Sequence, residues 1–161
     1  DHQKRASQVK QNIKALKKAG AQVIIVNFHW GIEKQYTPDE NQKALAHLAV
    51  DEGADLVIGH HPHVLEGIEE YNGKYICYSL GNFWFDEYNV DTMLVNIRIS
   101  GNDDGDKIDV SVVPAVQDGT LQGCVTRICT QEEDKSRIFS LLNKVSINAN
   151  VADDGTVTQV K

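Results

Sequence analysis

Asp55-Leu56-Val57-Ile58-Gly59-His60-His61-Pro62-His63 is a short apolar run that stops at a glycine and opens into three histidines. It is too short for a helix and lacks polar alternation, which is the pattern of a strand buried on both faces of a parallel sheet. Upstream, Gln22-Val23-Ile24-Ile25-Val26-Asn27 repeats the pattern and leads into Phe28-His29-Trp30-Gly31. Between the two, Thr37-Pro38-Asp39-Glu40 offers an N-cap hydroxyl, a proline at the first helical position and an acid at the third. Leu45, Leu48 and Ala49 then give that helix an apolar face, ended by Gly53. Ahead of the first strand, Ala6, Val9, Ile13 and Leu16 recur at helical intervals, with Gly20 placed for a left-handed cap. Helix, strand, helix, strand is an α/β signature.

Downstream the rhythm becomes antiparallel. Residues 64–71 and 74–80 flank Asn72-Gly73, a two-residue hairpin signal. Residues 91–100 alternate through Met93, Val95, Ile97 and Ile99, and residues 107–116 return across the acidic turn 101–106. Thr130-Gln131-Glu132-Glu133 repeats the capping pattern before a late helix carrying Ile138, Leu141, Leu142 and Val145. The final residues are expected as a frayed tail or an edge strand. The expectation is a single α/β domain over residues 1–161, with residues 117–161 as a peripheral helix and tail.

Composition sets bounds. A length of 161 residues with 41% apolar content supports a real core. Sixteen basic against 23 acidic residues give a net charge of −7, which argues against nucleic-acid binding through cationic phosphate contacts. No apolar run reaches the roughly 20 residues that span a bilayer. The chain opens on Asp1 and its single methionine is Met93, so the expectation is a piece of something longer, and the lack of a signal peptide says nothing about location. Cys77, Cys124 and Cys129 are odd in number and show no CxxC spacing. Three ordinary thiols are expected, with a Cys124–Cys129 pair as the alternative for an exported chain.

The chemistry concentrates at the strand ends. Ligands of open α/β sheets bind beyond the carboxyl ends of parallel strands. If the two strands are neighbours, His29 and the His60 to His63 loop open onto one crevice, where neutral imidazoles suit a transition metal. The alternative is a hydrogen-bonded turn. His47, on a helix without polar company, reads as an ordinary residue, and His2 as part of a disordered end. Glu33, four residues past His29, is a candidate partner of a ligating histidine or a general base, though a plain surface position fits it too. Asn82, after Gly81, either brings its amide into the crevice or serves a turn. Asn102-Asp103-Asp104-Gly105-Asp106 faintly suggests a calcium loop, but Ser100 and Ser111 would occupy positions that need carboxylates, so a solvated turn is expected.

His29-Trp30-Gly31-Ile32-Glu33, then Tyr36, Pro38 and Gln42, then the stretch from Gly53 through Asp55 and His60-His61-Pro62-His63 to Val64, and finally Tyr78-Ser79-Leu80-Gly81-Asn82-Phe83 strongly resemble the CapA (PGA_cap) capsule-synthesis family. The match is dense from about 20 to 86, has its core over 20–116, extends over 1–116 and carries no recognisable motif beyond that. The resemblance implies bacterial proteins that make or export poly-γ-glutamate, similar in fold to calcineurin-like metallophosphoesterases: a two-sheet α/β sandwich with a two-metal site at the strand ends. It implies metal ligation by His29, His60 and His63, with His61 as the variable position; the candidates for roles in the chemistry are His29, Glu33, His61 and Asn82. An H-x-H reading would choose His61 and His63 instead. The superfamily's early Asp-x-His, Gly-Asp and Gly-Asn-His ligands are absent in the required order. The resemblance therefore implies the C-terminal part of a larger domain, with the carboxylates and any membrane anchor upstream.

Two functions follow as expectations. The first is a hydrolase of phosphoester or related bonds using Mn, Zn or Fe, two ions in the complete protein, whose activity and metal binding His60→Ala would abolish. The second is a non-catalytic scaffold that binds polymer or membrane synthase subunits, against which the net charge of −7 speaks when the polymer is polyglutamate. In either case an extracytoplasmic location is expected. The isolated piece is expected to be inactive and to bind an N-terminal fragment or self-associate through an apolar face.

Overall fold

The computed structural model describes residues 2–85, 89–102, 105–119 and 123–160. It opens with α1 (His2–Lys18), β1 (Ile25–His29), α2 (Glu40–Glu52) and β2 (Leu56–His60), the expected alternation. The backbone of His2 already belongs to α1, which corrects the expectation of a disordered end. Next come β3 (Ile68–Tyr71) and β4 (Lys74–Cys77), a hairpin turning through Asn72 and Gly73 at φ of 52° and 77°. Both central residues at positive φ is what a type I′ turn requires. The first sheet runs β1-β2-β4-β3, with β1, β2 and β4 parallel and β3 antiparallel to β4.

A second sheet is antiparallel, in the order β5 (Asn89–Asn102), β6 (Gly105–Asp118), β7 (Val125–Ile128). Its long ladder continues to Asn102 opposite Gly105, with Ser100 facing Lys107 and Ser111 facing Asn96. The serines of the calcium-loop alternative are therefore ladder residues, while Asp103 and Asp104 lie outside the described residues. The chain ends with α3 (Glu132–Val145) and a hairpin of β8 (Ala149–Val151) and β9 (Val157–Gln159). Of the two alternatives for the final residues, the strand forms.

Two apolar clusters sandwich the first sheet. On one face, Ile13 of α1 and Leu45, Ala46, Ala49 and Val50 of α2 pack with Val57, Ile76 and Tyr78. On the other, Leu56 and Cys77 meet Met93, Val110 and Val112 of the second sheet, together with Ile138, Phe139 and Leu142 of α3 and Val151 and Val157 of the last hairpin. Successive strand side chains point to opposite faces, so Leu56 and Val57 enter different cores. β2 and β4 are buried on both sides, as their apolar runs imply. Residues after 117 supply a large part of the second core.

β1 departs from the expectation. It begins at Ile25, three residues later than the apolar run suggests, and alternates between exposed and half-buried positions. Ile25 is 37% exposed. The physical reason is position. β1 is the edge of its sheet; Val26 and Phe28 pack toward the helices, while the second core ends at β2.

Both expected caps shift. Asp39, not Thr37, caps α2: its carboxylate accepts from Gln42 N (2.8 Å), and Gln42 Oε1 accepts from Asp39 N (2.9 Å). This reciprocal box prevails because Gln42 is buried and its remaining amide group has a partner in Glu66. Gln131, not Thr130, precedes α3 and makes no side-chain cap bond; Glu132, Glu133 and Asp134 complement the helix dipole instead. Cys77, Cys124 and Cys129 are free thiols. Burial pushes the Cys77 thiol up to about 12, so it remains protonated and inert.

Candidate functional site

β1 and β2 pair in parallel with His29 directly opposite His60, so both strands deliver an imidazole at the same level of the sheet's carboxyl end. Trp30 N then donates to His60 O (3.0 Å), continuing the ladder past the strands. Gly59 makes this arrangement possible. A Cβ there would lie 2.0 Å from Tyr78 O and 2.3 Å from Trp30 Nε1. With no side chain in the way, the Trp30 indole crosses the strand, stacks on Phe28 and donates to Tyr78 O at 2.9 Å.

Beyond His60 the backbone is contorted. His61 and His63 sit at φ of 105° and 63°, and Lys34 in the facing loop at 63°. Positive φ in such residues costs about 1–3 kcal/mol each and persists where the surroundings enforce it. Lys34 N donates to Pro62 O (2.7 Å) and pins the two loops together. The result is a convergence. One ligand atom each from Glu33, His61 and His63 lie within 4.8 Å of one another. The His61 ring lies 4.7 Å from that of His29 and 5.9 Å from that of His63.

Asn82 reaches this cluster from the loop after β4. Its Oδ1 accepts from His63 Nδ1 at 2.8 Å. An amide oxygen can only accept, so Nδ1 carries the proton and Nε2 keeps a free lone pair. Gly81 allows the approach: it adopts φ of 74°, and a Cβ there would lie 2.9 Å from Asp91 O. His60 is held below its ordinary pKa, first by burial and then by the charge of His29, which keeps its imidazole neutral near pH 7.

The structure thus brings together His61, His63 and Glu33, with Asn82 behind His63. His29 touches His61, and His60 stands beside His29 outside the three-residue cluster. Glu33, His61 and His63 are the grouped donors; the group contains the His61 and His63 pair of the H-x-H alternative, and His29 and His60 lie outside it.

Sequence reasoning missed the groups beneath the site. Glu66 is fully buried; its Oε2 accepts from Gln42 Nε2 (2.7 Å), and Oε1 has no partner among the described residues. Burial pushes its carboxyl from 4.5 up to about 7, against the opposing Gln42 hydrogen bond and helped by the Asp39 charge. A carboxyl raised in this way binds its proton more tightly in the folded chain than in the unfolded one. Its stabilising contribution is complete below about pH 4.5 and is lost as pH rises through about 7. Glu66→Gln is expected to remove a fall in stability on the order of 3 kcal/mol across that window. Melting temperatures at pH 5 and pH 8 check this; an unchanged fall in the variant would assign it elsewhere. His47 is the ordinary half-buried residue expected, though not without polar company: its Nε2 lies 2.9 Å from Glu69 Oε1 and its ring stacks on Tyr71 at 3.8 Å, a structural contact at the sheet edge. An acid within an otherwise apolar segment was the only available signal for Glu66 and Glu69.

Fold and cleft together define a mixed α/β protein with a histidine-lined site at the carboxyl ends of neighbouring parallel strands. Comparison with known proteins agrees with that class and narrows it. The family model described as bacterial capsule synthesis protein PGA_cap matches residues 1–87, which include Glu33, all the strand-end histidines and Asn82. The capsule biosynthesis protein CapA of Bacillus anthracis is 40% identical over 132 residues, covering 80% of this chain and 30% of that protein. The PGA biosynthesis protein CapA of Bacillus subtilis (strain 168) is 38% identical over 127 residues, covering 73% and 33%. A probable polyglutamine synthesis accessory protein of Mycobacterium tuberculosis (strain CDC 1551 / Oshkosh) is 38% identical over 77 residues, covering 48% and 20%. This chain belongs to the PGA_cap family. It spans about a third of the length of the two CapA relatives. Among the described residues, no helix is long and apolar enough to cross a membrane.

Proposed function

We propose that this chain is part of a longer CapA-like protein of poly-γ-glutamate capsule synthesis, a divalent-cation-dependent hydrolase of phosphoester or related bonds. The observation that carries the reading is the convergence of Glu33, His61 and His63, with the His63 tautomer set by Asn82. Imidazole and carboxylate donors suit Mn²⁺, Zn²⁺ or Fe, and three protein donors leave open positions, as in catalytic rather than structural sites. When bound, such cations supply Lewis acidity, lowering the pKa of water and offsetting negative charge that develops in the reaction.

The chain's own residues have separable tasks in this reading. His61, His63 and Glu33 hold the first cation, and Asn82 orients His63 from behind. His29 and His60, side by side at the strand ends, are candidates for a second cation with carboxylates from the rest of the protein. The layering of helices, mixed sheet and antiparallel sheet supports a metallophosphoesterase-like sandwich. The open edge of β1 and the half-exposed Ile25 favour a further segment of the same protein as partner there. An extracytoplasmic place, with an anchor elsewhere in the protein, follows from the capsule role.

The test uses the full-length protein. Calorimetric titration with Mn²⁺ is expected to show binding, and the loaded protein to hydrolyse bis-p-nitrophenyl phosphate. A metal-replete preparation that turns over nothing in a phosphoester panel would remove the hydrolase reading, and polyglutamate binding that survives a chelator would favour the scaffold. The 161 residues alone are expected to be inactive, since the carboxylates that would complete the second cation's site lie in the rest of the protein.

A further inference from the structure

The cluster of Glu33 and His63 forms one wall of a larger cavity of about 390 Å³. Its other walls are Tyr36, Val64, Phe85 and Val90, with Lys34 and Asn82 at the polar side. The size and the mixture match pockets for small organic ligands, which are apolar with a few placed polar groups. Two further features set this cavity apart. Asn82 is only 7% exposed, yet its Nδ2 has no hydrogen-bond partner among the described residues. A buried amide N–H left unpaired costs about 1–3 kcal/mol, and an acceptor atom of a bound ligand would recover it. Moreover, Tyr36 and Phe85, both on the cavity wall, are 47% and 40% exposed. A concentration of exposed apolar side chains at a polar site is the usual mark of a surface that something covers.

We infer that this cavity is the site for the organic part of the substrate: an oxyanion group held at Glu33, His61 and His63 through the cation, carried on a ring that lies against Tyr36 and Phe85. The Phe85 ring already packs at 4.7 Å from that of His63, so a ring in the cavity extends an existing aromatic contact directly beside the cation donors. The Glu33 carboxylate and a net charge of −7 repel an anion, Lys34 on the same wall offsets part of that repulsion, and a cation at the donors offsets the rest. The inference deepens the proposed function and rests on its cation site.

The experiment measures binding of phenylphosphonate and methylphosphonate to the Mn²⁺-loaded full-length protein by calorimetry. Phenylphosphonate is expected to bind about tenfold more tightly, the worth of burying one ring. Tyr36→Ala and, separately, Phe85→Ala are expected to erase that preference, with Tyr36→Phe restoring it. If Mn²⁺ itself does not bind, the cation site and this inference fall together. If Mn²⁺ binds and the two phosphonates are held alike, or both alanine variants keep the preference, the ring pocket alone is overturned.

Discussion

His63→Ala in the full-length protein is expected to lower Mn²⁺ affinity at the site of Glu33, His61 and His63 by at least about 100-fold and to abolish hydrolysis, whereas His60→Ala leaves most of that site's affinity. The two residues are three positions apart, one at the end of β2 and one in the loop after it, and tertiary geometry separates their roles. His63 sits in the cluster with Glu33 and His61, and its Nδ1 is engaged by Asn82, leaving Nε2 as the donor. His60 lies level with His29 at the end of the ladder, outside that cluster. Removing Asn82 frees the His63 ring without deleting a donor, so Asn82→Ala is expected to cost about 10–100-fold in affinity, typical for the partner of a ligating histidine. Calorimetry on the three variants orders them. If His60→Ala abolished binding while His63→Ala did not, the cluster described here would not be the cation site.

Gly59→Ala is expected to be the most damaging single methyl group that can be added near the site. Its φ is not in the left-handed region, so the cost is contact rather than backbone conformation. The new Cβ would lie 2.0 Å from the Tyr78 carbonyl oxygen and 2.3 Å from the Trp30 indole nitrogen, and the first is backbone of the neighbouring chain segment. Relief requires β2 to separate locally from the segment after β4 and Trp30 to give up its bond to Tyr78 O. Overpacking of this kind costs roughly 3 kcal/mol or more, about 10 °C in melting temperature for a domain of this size. Gly73→Ala is the control. At Gly73 φ is 77° but nothing lies within 4 Å, so only the left-handed conformation is taxed, at about 1–2 kcal/mol. Thermal denaturation of both variants decides; equal losses would show that the Trp30–Tyr78 contact yields easily.

Much of the fold was legible because it rests on local patterns. The apolar runs of β2 and β4, the Asn72-Gly73 turn and the spacing along α1 and α3 report burial and dihedral preference directly. The edge position of β1 was not legible. An apolar run records what a strand can bury, and whether a second layer covers it depends on where the antiparallel sheet stops. Caps misled for a related reason: Thr37 and Asp39 both satisfy local rules, and the choice between them lies with Gln42, whose amide meets Glu66 twenty-four residues away.

The sequence by itself determined the class of this protein, the two histidine-bearing strand ends and its family, because these depend on side-chain period and on motifs contiguous along the chain. Which imidazoles face one another was decided only by the tertiary structure. Pairing His29 with His60 requires β1 and β2 to be neighbours in register, and drawing His61 to His63 and Glu33 requires backbone angles that no local preference would choose. Those angles hold because Lys34, in the loop after β1, and the Asn82 amide, in the loop after β4, fasten Pro62 and His63 from two separate parts of the chain.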